Sequence, residues 1–517
     1  MDYFKEYDTF QDYLLPPSLL DIIPSDDLVF FVRDVVLKLD LSDFYQKYSN
    51  LGQNAYHPKM LLSVLIYAYC KGIFSSRKIE ECLSFDIRFM FISGWQKPDF
   101  RTMCLFRSEN RKLFDYCFVE VVKECLSAGG GKLLTTALDG SKIKANASSK
   151  KTLKRCELEE IMPGIRAEVA QMLDTAEAVD AEEDRRSASK KEPAICQTLT
   201  PEIKREKLQE AEKILTENPT LNNVNLTDPE CGIHNKLGAI YNAQIVVDCD
   251  SYVILAAEVV PDTNDRRQLV PMMRKMEENT GTEGEKKTGL GDCGFASAEG
   301  YSEIENTTNI DLYVPTQQQV SRRRKPVSEF DKSRFQVDVE KKTCICPQGQ
   351  PMCFRGFGLN KQGETTLRFC GTACPQCPFQ KNCARGKFRT LTVLKIDPLI
   401  KKMEEKMDSV CGKAMSRLRS STVEPVIGVL KEHMGFRQFR LRGLNGVNCE
   451  LKLLTIGYNI RKLHLMTLEK GLKDANDQVK IKIQEITEVI NAAFLLLFDD
   501  FSNFLRKSAF LQPQIPN

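Results

Sequence analysis

The stretch that most constrains this chain is AIYNAQIVVDCDSYVILAAEVV at 239–260, a run of β-branched and other apolar residues around a tight DCDS turn. It reads as two adjacent strands. Three shorter segments carry the same character. KLLTTALD (132–139) is a threonine-rich apolar run ending in an acid, which suits a buried strand delivering Asp139 at its carboxyl end. KKTGLGDCGFAS gives a strand ending in Asp292, followed by a Gly and Ser stretch able to start a helix, and IDLYVPT at 310–316 gives a further strand. A helix is expected at about 265–279 between them.

The rest of the chain lacks that alternation. Residues 1–130 read as helices, with apolar residues at helical spacing in LVFFVRDVVLKL and PKMLLSVLIYAYCKGIF. Residues 150–230 are rich in Lys, Glu, Ala and Arg and predict a helical hairpin or pair of helices that interrupts the β pattern. The block at 321–395 is rich in cysteine and poor in long apolar runs, as expected of a module held by metal rather than by a core. Helices resume from about 395. The expected organisation is a helical domain over 1–130, a first core segment over 131–320 with its insertion, the cysteine module over 321–395, a second core segment over 396–465 and a helical tail over 466–517. A chain of 517 residues exceeds what one core usually serves, so large insertions or several domains are needed.

Composition excludes some classes. Hydrophobic residues at 42% and charged residues at 28% fit a folded globular chain. The longest apolar runs, LLSVLIYAYC and AAFLLLF, fall short of the roughly 18 residues a membrane span needs. The start, MDYFKEYDTF, has acids and aromatics where a secretion signal has basic and apolar stretches, so a cytoplasmic location is expected. The net charge of +3 hides 73 basic against 70 acidic side chains, and any nucleic-acid footprint is therefore local. One basic run is Arg322, Arg323, Arg324 and Lys325. A longer one comprises Lys413, Arg417, Arg419, Lys431, Arg437, Arg440 and Arg442 against only Glu424 and Glu432. Charge runs are ordinarily solvated faces; in the second the lone early acid, Glu424, is itself a catalytic candidate.

Splitting a phosphodiester needs charge stabilisation on the attacking and leaving oxygens, which two divalent ions about 3.5–4 Å apart supply when carboxylates hold them. Magnesium, or manganese in its place, takes hard oxygen ligands. Asp139 and Asp292 stand at strand ends as such ligands would, although an Asp there is more often a turn or helix cap. Ser421, Thr422, Val423 and Glu424 match a capping box, but Pro425 lacks the amide such a start requires, so the helix is expected to begin after Ser421 or to be kinked. Glu424 and Lys431 are seven residues apart and share a helix face, an acid for metal beside a cation for phosphate. Gly428 between them leaves room for a neighbouring backbone.

Seven of the 19 cysteines lie between Cys344 and Cys383. Cys374 and Cys377 form a C-x-x-C knuckle that Cys346 and Cys383 can complete as a four-thiolate zinc site, with Cys344, Cys353 and Cys370 as spare candidates. The alternative is a set of unligated thiols in a loop. The four histidines are too scattered for a hydrolase built on an imidazole base, and His433 reads as a helix-surface residue.

Four blocks resemble bacterial insertion-sequence transposases, particularly the group numbered eleven eighty-two within the larger family numbered four. They are 56–107, LDGSKIKANAS (138–148), GDCGFAS (291–297) and 422–463. YNAQIVVD (241–248) and the cysteine block extend the similarity over most of the chain. The resemblance implies an α/β fold with a ribonuclease H-like core, a mixed sheet flanked by helices, in which Asp139, Asp292 and Glu424 hold two magnesium or manganese ions. It implies a DDE transposase that cuts DNA at the ends of an insertion sequence and transfers the strand to target DNA. Its partners would be the terminal inverted repeats, the target DNA and a second copy in the synaptic complex, near the nucleoid, with no membrane. The family's last signature has a Tyr seven residues and an Arg four residues before the Glu; here Arg417 and Ser420 stand there, Lys431 fits the later Lys, and Arg419 can supply the phosphate contact. Arg437, Arg440 and Arg442 continue the DNA-facing set. A zinc-stabilised DNA-binding protein without catalysis and a stand-alone nuclease are the rival readings.

Overall fold

β1 (Thr135–Lys144) is the middle strand of a mixed sheet in the computed structural model of the protein. The structure describes residues 18–46, 55–129, 131–148, 151–164, 201–217, 222–317, 319–320, 329–359, 365–394 and 398–471. After β1 the chain forms a small two-stranded sheet from β2 (Thr152–Lys154) and β3 (Asn223–Asn225). It returns to the main sheet with β4 (Gly232–His234), β5 (Gly238–Asp248) and β6 (Ile254–Val260), then adds β7 (Lys287–Leu290) and β8 (Ile310–Tyr313). β5 is antiparallel to β1 and carries β4 and β6 on its other edge. β7 is parallel to β1, and β8 is parallel to β7. Parallel neighbours cannot be joined by a hairpin, and the helices Leu269–Thr280 and Ala298–Thr307 provide the crossovers.

β5 is buried from Ala239 to Asp248, so its residues are apolar almost without alternation. The tight turn expected after it is present, with Asp248 accepting from the Ser251 amide at 2.8 Å and the Ser251 hydroxyl at 2.7 Å. Two expectations need correction. β1 continues to Lys144, which leaves Asp139 inside the strand and not at its end. The helix bearing Glu424 begins at Val410, capped by Ser409, and runs through Pro425 to Gly428, so Ser421 starts nothing.

The long helix over 443–471 closes the β6 side of the sheet. Asn448 bonds both the amide and the carbonyl of Val259, and Asn459 does the same for Ile254. Eleven residues of helix at about 1.5 Å each and five of strand at about 3.3 Å each both span roughly 16 Å, so the two asparagines fall in register with a strand edge that would otherwise lack partners. The amino-terminal helices pack into the same hydrophobic cluster. Pro58–Cys70 is apolar nearly all round and correspondingly buried, with Leu62, Val64, Leu65 and Ala68 fully enclosed. No helix among the described residues is long and apolar enough to cross a membrane.

Two smaller cores stand apart. In the insertion, a helix over 155–164 and the helix Pro201–Glu217 pack Leu158, Met162, Leu208, Ala211 and Leu215 on Val224, which agrees with the expected helical pair over the described part; 165–200 lies outside it. The cysteine block forms an antiparallel sheet of β9 (Gln336–Asp338), β10 (Thr343–Ile345), β11 (Pro351–Leu359), β12 (Thr365–Gly371) and β13 (Thr390–Leu394). It has its own core of Phe335, Cys344, Met352, Leu367, Phe369 and Leu391, which corrects the expectation of a module without one. The basic run Arg322–Lys325 and the tail from 472 lie outside the described residues.

A buried polar chain ties the amino-terminal helices to the long helix. Arg107, 2% exposed, donates to the Tyr69 hydroxyl at 3.0 Å and the Phe74 carbonyl at 2.9 Å. The Tyr69 hydroxyl faces Glu450 at 3.5 Å, and Glu450 also accepts from the Arg440 and Leu441 amides. Burial raises the Glu450 carboxyl, with Arg107 pulling it back. Arg107→Met removes the buried countercharge, and an unfolding midpoint in urea is expected to report a loss of about 3 kcal/mol; an unchanged midpoint would show the network to be dispensable.

Candidate active site

Parallel pairing sets Ala137 opposite Leu290. Asp139 lies two residues beyond that pair within β1, and Asp292 lies two residues beyond it, just past the end of β7. Asp139 accepts from the Gly140 amide at 2.9 Å. Asp292 accepts from the Gly294 amide at 2.8 Å and caps the short 3-10 turn Cys293–Phe295, so it serves as a cap as well as a site acid. Burial pushes the Asp139 carboxyl up to about 6, Arg419 opposing the rise and Asp292 adding to it. Burial also raises Asp292, against the pull of the Gly294 amide and Arg419, while Asp265 pushes the same way as burial.

Arg419 joins the third acid to the first. Its guanidinium contacts Asp139 Oδ2 at 3.3 Å and Glu424 Oε1 at 3.0 Å. Glu424 is 56% exposed at its side chain, Asp139 only 18%. Glu424 makes no capping box, since Ser421 bonds back to the Leu418 carbonyl. Past Pro425 the helix widens into a π turn over Val429–His433, closed by the Met434 amide on the Val429 carbonyl at 2.9 Å. That turn carries Lys431 to the Lys142 carbonyl on β1 at 3.2 Å, with burial lowering its ammonium and Asp139 supporting it. Lys431 therefore lies on the same side of β1 as Asp139. Gly428 does not play its expected part, because nothing lies within 4 Å of where its Cβ would be.

The segment after the π turn lies against the end of β1. The Phe439 amide donates to the Lys144 carbonyl at 2.9 Å, and Arg442 donates to the Asn146 carbonyl at 2.9 Å. Arg437, Arg440 and Arg442 are exposed on this rim, Arg437 in an ion pair with Glu432. His433 is exposed, as expected.

Asp265, Asn242 and Gln244 were not singled out by the sequence reading. Asp265 Oδ1 accepts from Asn242 Nδ2 at 2.7 Å and Gln244 Nε2 at 2.6 Å. The usable signal was in YNAQIVVD: two amides at alternate positions of an otherwise apolar, enclosed strand, which need polar partners.

In the cysteine module, Cys346, Cys374, Cys377 and Cys383 line one cavity, and Cys344, Cys353 and Cys370 do not. Cys344 is buried against Met352, while Cys353 and Cys370 oppose each other on β11 and β12. The Arg389 amide donates to Cys374 Sγ at 3.4 Å, and the Cys377 amide to the Cys374 carbonyl at 3.1 Å. Burial raises the Cys383 thiol, partly offset by Arg389. All described cysteines are free thiols.

Hard carboxylate oxygens suit magnesium or manganese, and four thiols suit zinc. As the side chains stand, no three His, Cys, Asp or Glu groups among the described residues form a ready coordination shell. In the acid set, Arg419 lies between Asp139 and Glu424 and supplies positive charge there.

Two family models match the chain. Transposase DDE domain matches residues 345–464, and Transposase domain (DUF772) matches residues 17–109. The first contains Glu424, Lys431 and the four cavity cysteines, while Asp139 and Asp292 lie outside both. Together the matches support an insertion-sequence transposase family and indicate a transposase, an enzyme acting on DNA; a DDE domain in general implies use of divalent metal. No curated protein matches the chain.

The raised Asp139 carboxyl has a sign in stability. The folded protein holds this proton more tightly than the unfolded chain, so the contribution is full below pH 4 and is lost as pH rises through about 6. In metal-free protein with chelator, Asp139→Asn is expected to be more stable than the parent at pH 7 by roughly 1–3 kcal/mol and equal to it at pH 4. Urea unfolding at the two pH values checks this, and equal stability at both would contradict it.

Proposed function

We propose that this chain is a DDE transposase with a ribonuclease H-like core, of the insertion-sequence group numbered eleven eighty-two, that cleaves DNA at element ends and transfers the strand to target DNA. What supports this reading is that Arg419 contacts both Asp139 and Glu424, which come from distant parts of the chain, while Asp292 follows the end of β7, the strand that pairs with β1 just before Asp139. The strand order, with antiparallel β5 and β6 on one side of β1 and parallel β7 and β8 on the other, supports the core assignment. The two family matches support the chemistry class.

In the first step water adds to phosphorus at the element end and the bond to the 3′ oxygen breaks, releasing a 3′ hydroxyl. In the second that hydroxyl oxygen attacks a target phosphodiester, one P–O bond forming as another breaks, so no outside energy is consumed. Magnesium or manganese held by the three acids would stabilise charge on the attacking and leaving oxygens. Lys431, at the mouth of the acid notch, meets a phosphate oxygen, and the rim arginines Arg437, Arg440 and Arg442 hold the flanking backbone by charge. Arg419 moves from carboxylate to phosphate when the acids take up cation. The amino-terminal helices bind terminal repeats or pair two copies in the synaptic complex. Cys346, Cys374, Cys377 and Cys383 hold a structural zinc ion, and the enzyme works in the cytoplasm at the nucleoid.

Purified protein with magnesium and DNA bearing the element ends is expected to nick that DNA, and Asp139→Asn to lower nicking at least a hundredfold while binding persists. Cutting by the Asn variant at the parental rate would remove the assignment, and binding without cutting by the parent would favour a DNA-binding protein that lacks catalysis. For the thiol set, metal analysis of the purified chain is expected to find about one zinc per chain, lost in Cys374→Ala with faster proteolysis within 329–394; a Cys374→Ala protein with full zinc would exclude that ligand.

A further inference from the structure

Asp265 lies on the loop between β6 and the Leu269–Thr280 helix, and its carboxylate stands against Gly140 and Gly294, the neighbours of Asp139 and Asp292. Its Oδ1 is fixed by two amides two residues apart on β5, Asn242 at 1% exposure and Gln244 at 0%. The other oxygen, Oδ2, faces the Asp292 turn, 3.4 Å from where a Cβ on Gly294 would be. On the β1 side the fit is tighter. A Cβ at Gly140, the residue after Asp139, would stand 2.4 Å from Asp265 Oδ1 and 2.5 Å from Gln244 Nε2, so only glycine admits the carboxylate here.

Two further facts separate this from a loop carboxylate held for structure alone. Asn242 Oδ1 and Gln244 Oε1, on the same amide heads that grip Asp265, are buried acceptors with no donor. A buried acceptor without a partner is costly, which points to a proton-bearing ligand beside it. In addition, the glycine that makes room for Asp265, Gly140, adjoins Asp139, and Gly294, two residues after Asp292, lies in van der Waals reach of Asp265.

We propose that Asp265 is a fourth carboxylate of the divalent-metal centre, seated by Asn242 and Gln244 and offering Oδ2 on the Asp292 side, to the cation or to water bound on it. This rests on the transposase reading of the three acids. Its consequence is that the sheet side of the site carries three carboxylates, Asp139, Asp292 and Asp265, before Glu424 is counted.

Manganese binding by the full chain, without DNA, is followed from the paramagnetic signal of the free ion. Asp139→Asn serves as the reference for the centre. Asp265→Asn, which keeps the size and the acceptor at Oδ1, is expected to weaken manganese binding about tenfold or more with its unfolding midpoint little changed. Gln244→Leu, which leaves the acid and removes one donor, is expected to weaken it several-fold. If Asp139→Asn loses affinity while Asp265→Asn binds as the parent does, the fourth-acid proposal falls and the three-acid centre stands. If neither variant changes binding, the reading of the whole centre falls with it. Should Asp265→Asn fail to fold, parental affinity in Gln244→Leu overturns the proposal.

Discussion

Thr136 and Ala137 of β1 are flanked on both sides, by β5 and β7, whereas Leu138 to Ile143 pair with β5 alone and Lys144 also bridges Gln438. The site follows from that change. β7 stops at Leu290, and the space it vacates beside β1 receives the Asp292 turn, the Arg419 side chain and the Lys431 ammonium. A strand that ended at Asp139 would offer an acid and nothing beyond it. Because β1 continues, Lys142 supplies the carbonyl that fixes Lys431, and Lys144 supplies the carbonyl that docks the arginine-bearing segment at Phe439.

Placing Asp139 and Asp292 side by side in a half-buried notch is unfavourable twice over, through lost solvation and through like charge. A single compact ammonium would satisfy one acid, but a guanidinium presents separate donors to two. Arg419 uses one nitrogen for Asp139 and another for Glu424, and by doing so draws an exposed helix residue toward the sheet. The helix thus docks where the charge balance requires it, five residues from its own Arg. The same balance explains why Asp139 retains a carboxyl near 6 even with a guanidinium in contact: burial outweighs the ion pair.

The sheet was readable in the sequence chiefly where apolar residues run almost unbroken between turn residues, in β5 and β6 above all. The three acids and the four cavity cysteines were nominated by spacing and resemblance, and the structure sets the four cysteines around one cavity. What escaped was governed by tertiary contact. Asp139 looked terminal because Gly140, Ser141 and Lys142 break the apolar pattern, yet β5 pairs with all three. The Glu424 helix looked as if it started late because Pro425 is a poor interior residue, but Ser409 caps it a full 15 residues earlier and the π turn absorbs the defect. The cysteine module looked coreless because its apolar residues alternate one by one along short strands, leaving no run to see. Asp265 has no local signature at all; only its partners on β5 reveal it.

The acids differ in how firmly they are held. Asp139 and Asp292 sit on a sheet whose far edge is stitched to the 443–471 helix by Asn448 and Asn459, and that helix is locked to the amino-terminal helices through Lys452, 1% exposed, between Asp115 and Glu258. Glu424 is different: it is exposed, its helix lacks the Pro425 amide bond to Ser421, and the next turn is already widened. In the proposed reaction, a site that takes cation and then two successive phosphodiesters would need fixed points and one adjustable one. The fixed points would be the aspartates at β1 and the end of β7, and the adjustable group the glutamate, tethered to the notch among the described residues by the Arg419 guanidinium.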